Sequence, residues 1–268
     1  CIAGAIPQKG SIEKGTTVCD FDPLEKQFGH SLQTALVNME SHGARLYLSD
    51  TPGLPDFAGQ SVAALAAADT ALVVVDAQLG VQMMTERMMR LAAARNLCRM
   101  IVVNRIDETD VDLPALLRDL RERFGKQCLV LDLPAHQGQD VIEVLDHDSG
   151  DADFESVQQA HQALIDQIVE EDESLLARYL EEGTEPSAGE LHAPFEKALR
   201  EGHLIPVMFT SSKTGAGVRE LMHILATLAP DPTEGNPPAF FSGDPGTADA
   251  DPVEAVADPA RHVIAHVF

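Results

Sequence analysis

Basic residues are scarce in this chain. Nineteen Lys and Arg stand against 43 Asp and Glu in 268 residues, a formal net charge of −24 at pH 7. Proteins that wrap nucleic acid neutralise phosphates with a basic face, so a broad RNA-wrapping surface and a DNA partner are both excluded. A local contact with a ribosome is not, because a net charge describes no single patch. Cysteine is scarce too: Cys1, Cys19, Cys98 and Cys128 are scattered with no Cys-x-x-Cys pair. That pattern reads as reduced thiols of a cytoplasmic protein. Long hydrophobic runs are missing. The longest, at 63–68 and 71–75, fall far short of the ~20 residues a membrane helix needs. No leader is read in the opening residues, no internal repeat is visible, and no Cys-His or Ser-His-Asp spacing marks a nucleophilic triad.

What is present is enough apolar material for a core, 44% of residues. The length suits one sizeable domain with an accessory piece. Strand-like runs fall at 45–49, 71–76, 99–104, 127–133 and 204–210. Helical periodicity lies between most of them: Val81, Met84, Met88 and Leu91 share one face, as do Leu113, Leu116, Leu117 and Leu120. This alternation predicts an α/β fold with a mainly parallel sheet. Continuous apolarity over 71–75 predicts a central strand covered on both faces. Residues 32–39 and 45–49, around the turn Ser41-His42-Gly43, predict an antiparallel edge hairpin. The strand rhythm stops over 145–203, where helical patterns at 154–182 and 187–200 predict a helical insertion. Ser187 with Glu190 has the form of a capping box. Pro, Gly and Asp crowd 231–261, which reads as a linker. Residues 262–268 alternate like a strand, as if the chain there enters another domain.

Three short motifs each follow a predicted strand, where ligands of open α/β sheets bind. Asp50-Thr51-Pro52-Gly53 offers an acid for Mg²⁺ and a glycine whose N–H can approach a terminal phosphate; the same four residues also describe an ordinary turn. Asn104-Arg105-Ile106-Asp107 offers a carboxylate for the paired N–H donors of guanine, with Asn104 bracing the neighbouring loops. Arg105 is expected to lay its stem and guanidinium along the base; alone, an Asn-x-x-Asp is also a common cap. In Ser211-Ser212-Lys213-Thr214-Gly215, the N–H of Ser212 is expected to reach guanine O6 and Lys213 to pack on the base. Their order, each after a strand, is what separates them from coincidence.

The three motifs resemble switch II, the guanine-specificity motif and the last base-contacting motif of the translational GTPases. The intervening text resembles elongation factor G, notably residues 50–90, DTPGLPDFAGQSVAALAAADTALVVVDAQLGVQMMTERMMR, and residues 4–28, GAIPQKGSIEKGTTVCDFDPLEKQF. The resemblance implies a G domain of the P-loop NTPase type at 1–230, with the helical insertion inside it and a β-barrel domain opening at 262–268. It implies GTP or GDP and Mg²⁺ as ligands, the ribosome with its RNA as partner, a monomer, and GTPase activity in translocation or recycling. It places Ser31 and Asp50 at the metal.

The chain departs from the family pattern in three ways. It begins after the place of the phosphate loop G-x-x-x-x-G-K-[ST], and the look-alike Gly10-x-x-x-x-Gly15-Thr16-Thr17 has Thr for the essential Lys and no preceding strand. Phe28-Gly29-His30-Ser31-Leu32 stands where the family has Arg-Gly-Ile-Thr-Ile. Leu54 stands where the family's water-positioning histidine would follow Asp-Thr-Pro-Gly. A ribosomal-protection or release-factor-type GTPase, or a ribosome-binding regulator with damped hydrolysis, therefore remains open as an alternative. A helical interaction module would require the three motifs to be accidental. The acidic run Asp146-His147-Asp148 with Asp151 and Asp153 reads as a solvated loop rather than a calcium site, and Met83, Met84, Met88 and Met89 as helix core.

Overall fold

The computed structural model describes residues 1–236, 240–243, 250–253, 258 and 260. Four parallel strands form the main sheet: β3 (Thr70–Asp76), β4 (Cys98–Asn104), β8 (Ile205–Thr210) and β5 (Cys128–Val130), in the order β3-β4-β8-β5. All six residues of β8 are buried, and β4 is buried except at Arg99 and Asn104. Such uninterrupted burial is what helices on both faces of a parallel sheet produce. Helix α3 (Met83–Ala94) lies on β3 and β4, α7 (Ala188–Glu201) on β4, and α4 (Leu113–Phe124) and α5 (Val157–Val169) on β5. The fold class is the expected α/β architecture.

Several elements differ from the sequence reading, each for a local reason. β3 is the last strand in the hydrogen-bonded order, not a central one, and Val74 is 59% exposed. The run at 127–133 is two strands: Asp132 turns the chain out of the sheet, and β6 (Asp132–Ala135) pairs antiparallel with β7 (Asp140–Glu143). The first hairpin, β1 (Ala35–Ser41) with β2 (Ala44–Asp50), pairs in register as expected but shares no ladder with the main sheet; it rests on α8 (Val218–Thr227). Its first strand starts three residues late because the carboxylate of Glu25, in the short helix α1 (Pro23–Phe28), takes the N–H groups of Leu32 (2.9 Å) and Gln33 (3.1 Å). On α3 the buried positions are Thr85, Met89 and Ala92, with the predicted Met84, Met88 and Leu91 only half-buried beside them; Met83 is 66% exposed. On α4 the predicted face Leu113, Leu116, Leu117 and Leu120 is the buried one.

The helical insertion has three helices rather than two. Asp172 breaks the first pattern by capping α6 (Glu173–Glu182) through the N–H groups of Ser174 and Leu175. Ser187 and Glu190 form the capping box of α7, with the Ser187 N–H 2.9 Å from the Glu190 carboxylate. Leu164, Ile165, Ile168, Phe195 and Leu199 seal the insertion onto the sheet, at about 1.5–3 kcal/mol for each large side chain removed from water. Phe154 meets Phe209 edge-on, with centroids 5.7 Å apart. The expected linker carries a short antiparallel pair, β9 (Phe240–Ser242) with β10 (Asp251–Val253). The strand expected at 262–268 lies outside the described residues.

Candidate functional site

Two loops at the carboxyl ends of neighbouring strands meet. Asn104 ends β4 and Arg105, Ile106 and Asp107 follow it; after β8 come Ser211, Ser212 and Lys213. Asn104 ties them together: its Oδ1 accepts the Ser212 N–H (2.9 Å) and the Thr210 hydroxyl (3.4 Å), and its Nδ2 donates to Ser212 Oγ (3.3 Å). Asn104 thus joins the two loops, and the Ser212 N–H expected for guanine O6 is directed at Asn104. Asp107 has a side chain only 5% exposed; its Oδ1 accepts the Ser211 hydroxyl at 2.6 Å and its Oδ2 lies 3.4 Å from Lys213 Nζ. The Ser211 hydroxyl holds the Asp107 carboxyl below its usual range against the opposing effect of burial, with Lys213 adding to the hydroxyl. The result is an ionised acceptor in a nearly dry wall, suited to a paired N–H donor.

Arg105 is held by its neighbours. Its backbone is left-handed, at φ 71°, and its guanidinium is ion-paired with Asp76 at 2.9 Å and Glu108 at 3.4 Å. These two ion pairs tie the guanidinium to the end of β3 and to the next turn. Asp76 is ionised despite burial, which alone would raise it, because Arg105 and the N–H groups of Gln78 and Leu79 outweigh that effect. Lys9 was not legible as a site residue. Its ammonium caps the other loop, donating to the Lys213 carbonyl at 2.9 Å and to the Ser212 carbonyl. The look-alike motif after it is a tight turn, with Gly15 N–H on the Ile12 carbonyl and Thr16 N–H on that of Ser11.

Asp50 ends β2, Thr51, Pro52 and Gly53 follow it, and the four share no hydrogen bond with the two loops above among the described residues. Ser61 locks this turn to α2 (Ala58–Ala64) through the Pro52 carbonyl, 2.8 Å away. Neither a positive φ nor a close neighbour requires glycine at 53. Leu54 follows, 42% exposed, at the start of the 3₁₀ turn Pro55–Phe57. The ring of His30 sits between Phe28 and Phe57, 6.0 Å from each centroid, which puts an imidazole beside the Leu54 segment.

Ser31 and Asp50 do not meet directly; consecutive residues link them. Ser31 Oγ donates to Asp20 Oδ1 at 3.4 Å and Thr17 donates to Asp20 Oδ2, while the preceding residue, Cys19, feels the Asp50 carboxylate. Burial first, then the Asp50 carboxylate, pushes the Cys19 thiol up to about 12, so it remains a neutral S–H. Asp20 thus gathers two hydroxyls, oxygen donors of the kind a hard cation takes. The sequence does not single out Asp20. Among the described residues, the one group of His, Cys, Asp or Glu that brings three ligand-type atoms within 4.8 Å of one another is Glu171, Glu201 and His203. There Glu171 is already matched by His203 (2.7 Å) and Lys197 (3.6 Å), so its charge needs no ion. No described helix is long and apolar enough to cross a membrane.

A family model described as the elongation factor Tu GTP binding domain matches residues 1–231. The chain belongs to this family. Relatives of the elongation factor Tu GTP-binding domain family similar to it include an elongation factor G-like protein of Mycobacterium tuberculosis, 33% identical over 90% of this chain and 35% of its own length. The tetracycline resistance protein TetW of Butyrivibrio fibrisolvens is 29% identical over 84% of this chain and 33% of its own. A crystal structure of a Thermus thermophilus protein superposes with a TM-score of 0.77 at 36% identity, over 87% of this chain and 37% of that one. The chain thus spans about a third of the length of the relatives it matches.

Proposed function

We propose that the protein carrying this chain is a GTP-binding translation factor, of the elongation factor G kind, that couples GTP binding and hydrolysis to the ribosome. The observation that carries this reading is the convergence of Asn104, Asp107, Ser211 and Ser212 around one dry, ionised carboxylate. In this reading Asp107 accepts guanine N1–H and N2–H₂. Asn104 and Ser212 exchange part of their mutual bonding for the base, and Lys213 covers its face. Thr51, Pro52 and Gly53 line the terminal phosphate, and Ile106 anchors the base loop in the core. Asp50, Ser31 and Asp20 supply the oxygen donors that suit Mg²⁺, whose charge would offset that of the phosphates. The 268 residues contain no G-x-x-x-x-G-K-[ST] run, so the amides and lysine that cradle the β- and γ-phosphates in such enzymes are not among them.

The domain reading goes with this function: a GTP-binding domain at 1–230 containing the insertion at 145–203, a linker at 231–261, and a second domain opening at 262–268. The protein acts as a cytoplasmic monomer on the ribosome. Leu54 supports a second reading, that of a binding switch with damped hydrolysis, because an isobutyl group can neither donate nor accept a hydrogen bond to the attacking water. Base choice provides the test. In the natural protein, Asp107→Asn is expected to weaken GTP by roughly 1.5–3 kcal/mol, the range for hydrogen bonds to a charged group, and to improve xanthosine triphosphate. A variant that binds both nucleotides as the parent does would show that guanine is not read here.

A further inference from the structure

The β6–β7 hairpin touches the 104–107 loop and the chain on either side of the 211–213 loop, and its tip is held by a residue that no motif marks. Three consecutive residues at the tip are left-handed: His136 (φ 54°), Gln137 (61°) and Gly138 (71°). His136 and Gln137 carry a Cβ and take this conformation at a steric cost, so something must hold them. Asp153 does. Its Oδ1 accepts the Gln137 N–H at 2.9 Å and its Oδ2 the Gly138 N–H at 2.8 Å, while its own N–H donates to the Pro134 carbonyl at 2.7 Å. Held this way, Gly138 lies so close to the base loop that a Cβ on it would stand 2.1 Å from the Ile106 carbonyl oxygen. Further along the hairpin, Val141 lies 3.2 Å from where a Cβ on Gly217 would be, just past the 211–215 loop. At the hairpin's root Asp132 takes the Phe209 N–H, two residues before Ser211.

We propose that this hairpin is the brace that sets the guanine loops, and that Asp153 and Gly138 are positioning residues for base recognition. The proposal rests on Asp107 being the acceptor for guanine. A carboxylate that must meet N1–H and N2–H₂ together tolerates little displacement, and Ile106, against which the tip rests, is the residue before it. Asp153 also lies just ahead of α5, so the tip that sets base geometry is tied to the helical insertion. Asp153→Ala releases two backbone N–H groups and lets the strained turn relax away from Ile106. Gly138→Ala acts in the opposite sense, driving a methyl against the Ile106 carbonyl. Both lesions should erase the reading of the guanine 2-amino group, which inosine nucleotides lack.

The experiment is a ¹⁵N NMR titration of the 268-residue chain with GDP and with IDP, which follows dissociation constants into the millimolar range. Hydrogen exchange is measured in parallel without nucleotide. The parent is expected to prefer GDP. In Asp153→Ala and Gly138→Ala the GDP affinity is expected to fall about tenfold while IDP moves about twofold or less, the scale of a small misplacement of a binding group. Asp153→Asn, which keeps one acceptor, should fall between. The Ile106 and Asp107 amides should exchange faster in Asp153→Ala while those of α7 stay protected, which also shows that the variant is folded. Equal losses for the two nucleotides, or unchanged exchange at Ile106, would overturn the brace. A parent that does not distinguish GDP from IDP would instead overturn Asp107 as the guanine acceptor, and the exchange result then decides the brace alone.

Discussion

Replacing Asp132 with Asn should make this chain more stable, and only above acid pH. Asp132 is fully buried; its Oδ1 accepts the Phe209 N–H at 2.7 Å and its Oδ2 has no partner. Across the ladder stands Glu143, whose Oε1 also lacks a hydrogen bond, with His223 Nδ1 3.6 Å away; Glu220 is the other nearby acid. Burial, with those two acids, pushes the Asp132 carboxyl well above its usual range, even against the Phe209 N–H. The folded state therefore keeps a proton that the unfolded chain releases above the ordinary Asp range. The stabilising contribution is complete below the unfolded pKa and is lost as pH rises toward the folded one. Asn is neutral at every pH, keeps an oxygen for Phe209, and turns an amide N–H₂ to the side where Oδ2 now lacks a partner. The expected gain comes from the proton the folded parent must keep, and grows by about 1.4 kcal/mol per pH unit above the unfolded pKa until the folded one is reached. Each kcal/mol corresponds to about 2–4 °C in melting temperature for a chain of this size. Thermal melts of parent and variant from about pH 4 to pH 8 should converge at the acid end and separate as pH rises. A variant less stable than the parent at neutral pH, or a difference that ignores pH, would refute this account of Asp132.

Two other outcomes follow from named contacts. Glu25 is buried, and although burial opposes its charge, the N–H groups of Leu32, Asp22 and Gln33 hold its carboxyl below the usual range. Its contribution is therefore present above the unfolded pKa and lost as pH falls through the folded one. Glu25→Ala should cost about 1–3 kcal/mol in urea melts at neutral pH, the penalty for leaving buried donors unpaired, and proportionally less in acid. For hydrolysis, Leu54→His in the natural protein should raise the single-turnover GTP rate on ribosomes by about 10²-fold, the scale of a positioned acid–base group; a fast parent slowed by His30→Ala would show that His30 already fills that role.

The site was legible where sequence neighbours become spatial neighbours. A motif directly after an apolar run inherits its place from the strand, so the loops at 104–107 and 211–213 could be read as facing one ligand. Lys9 could not, since it reaches a loop 203 residues away. Nor could Asp153, which looks like one more solvated acid in an acidic run until its carboxylate is seen to close a turn 15 and 16 residues back. The ion pairs of Arg105 were not legible either, because its φ and its two carboxylate partners depend on β3 and the chain after it. The break at Asp132 was hidden by apolar neighbours on both sides. The face of α3 was displaced because a threonine, not a methionine, occupies one of its buried positions.

The strand order has a consequence for how this chain is made. β8 sits between β4 and β5, both of which precede it in the sequence, and Asn104 waits for a partner 108 residues further on. Closing so long a loop adds little entropy beyond that of a shorter one, yet it delays the non-local pairing on which folding speed depends. Until β8 emerges, β4 has only β3 beside it, and its other edge, with Val102 and Val103, stays uncovered while the whole helical insertion is synthesised. An unpaired apolar edge is a template for other chains. The same topology that brings the two base-facing loops together therefore leaves the nascent protein most prone to aggregation just before the site can exist.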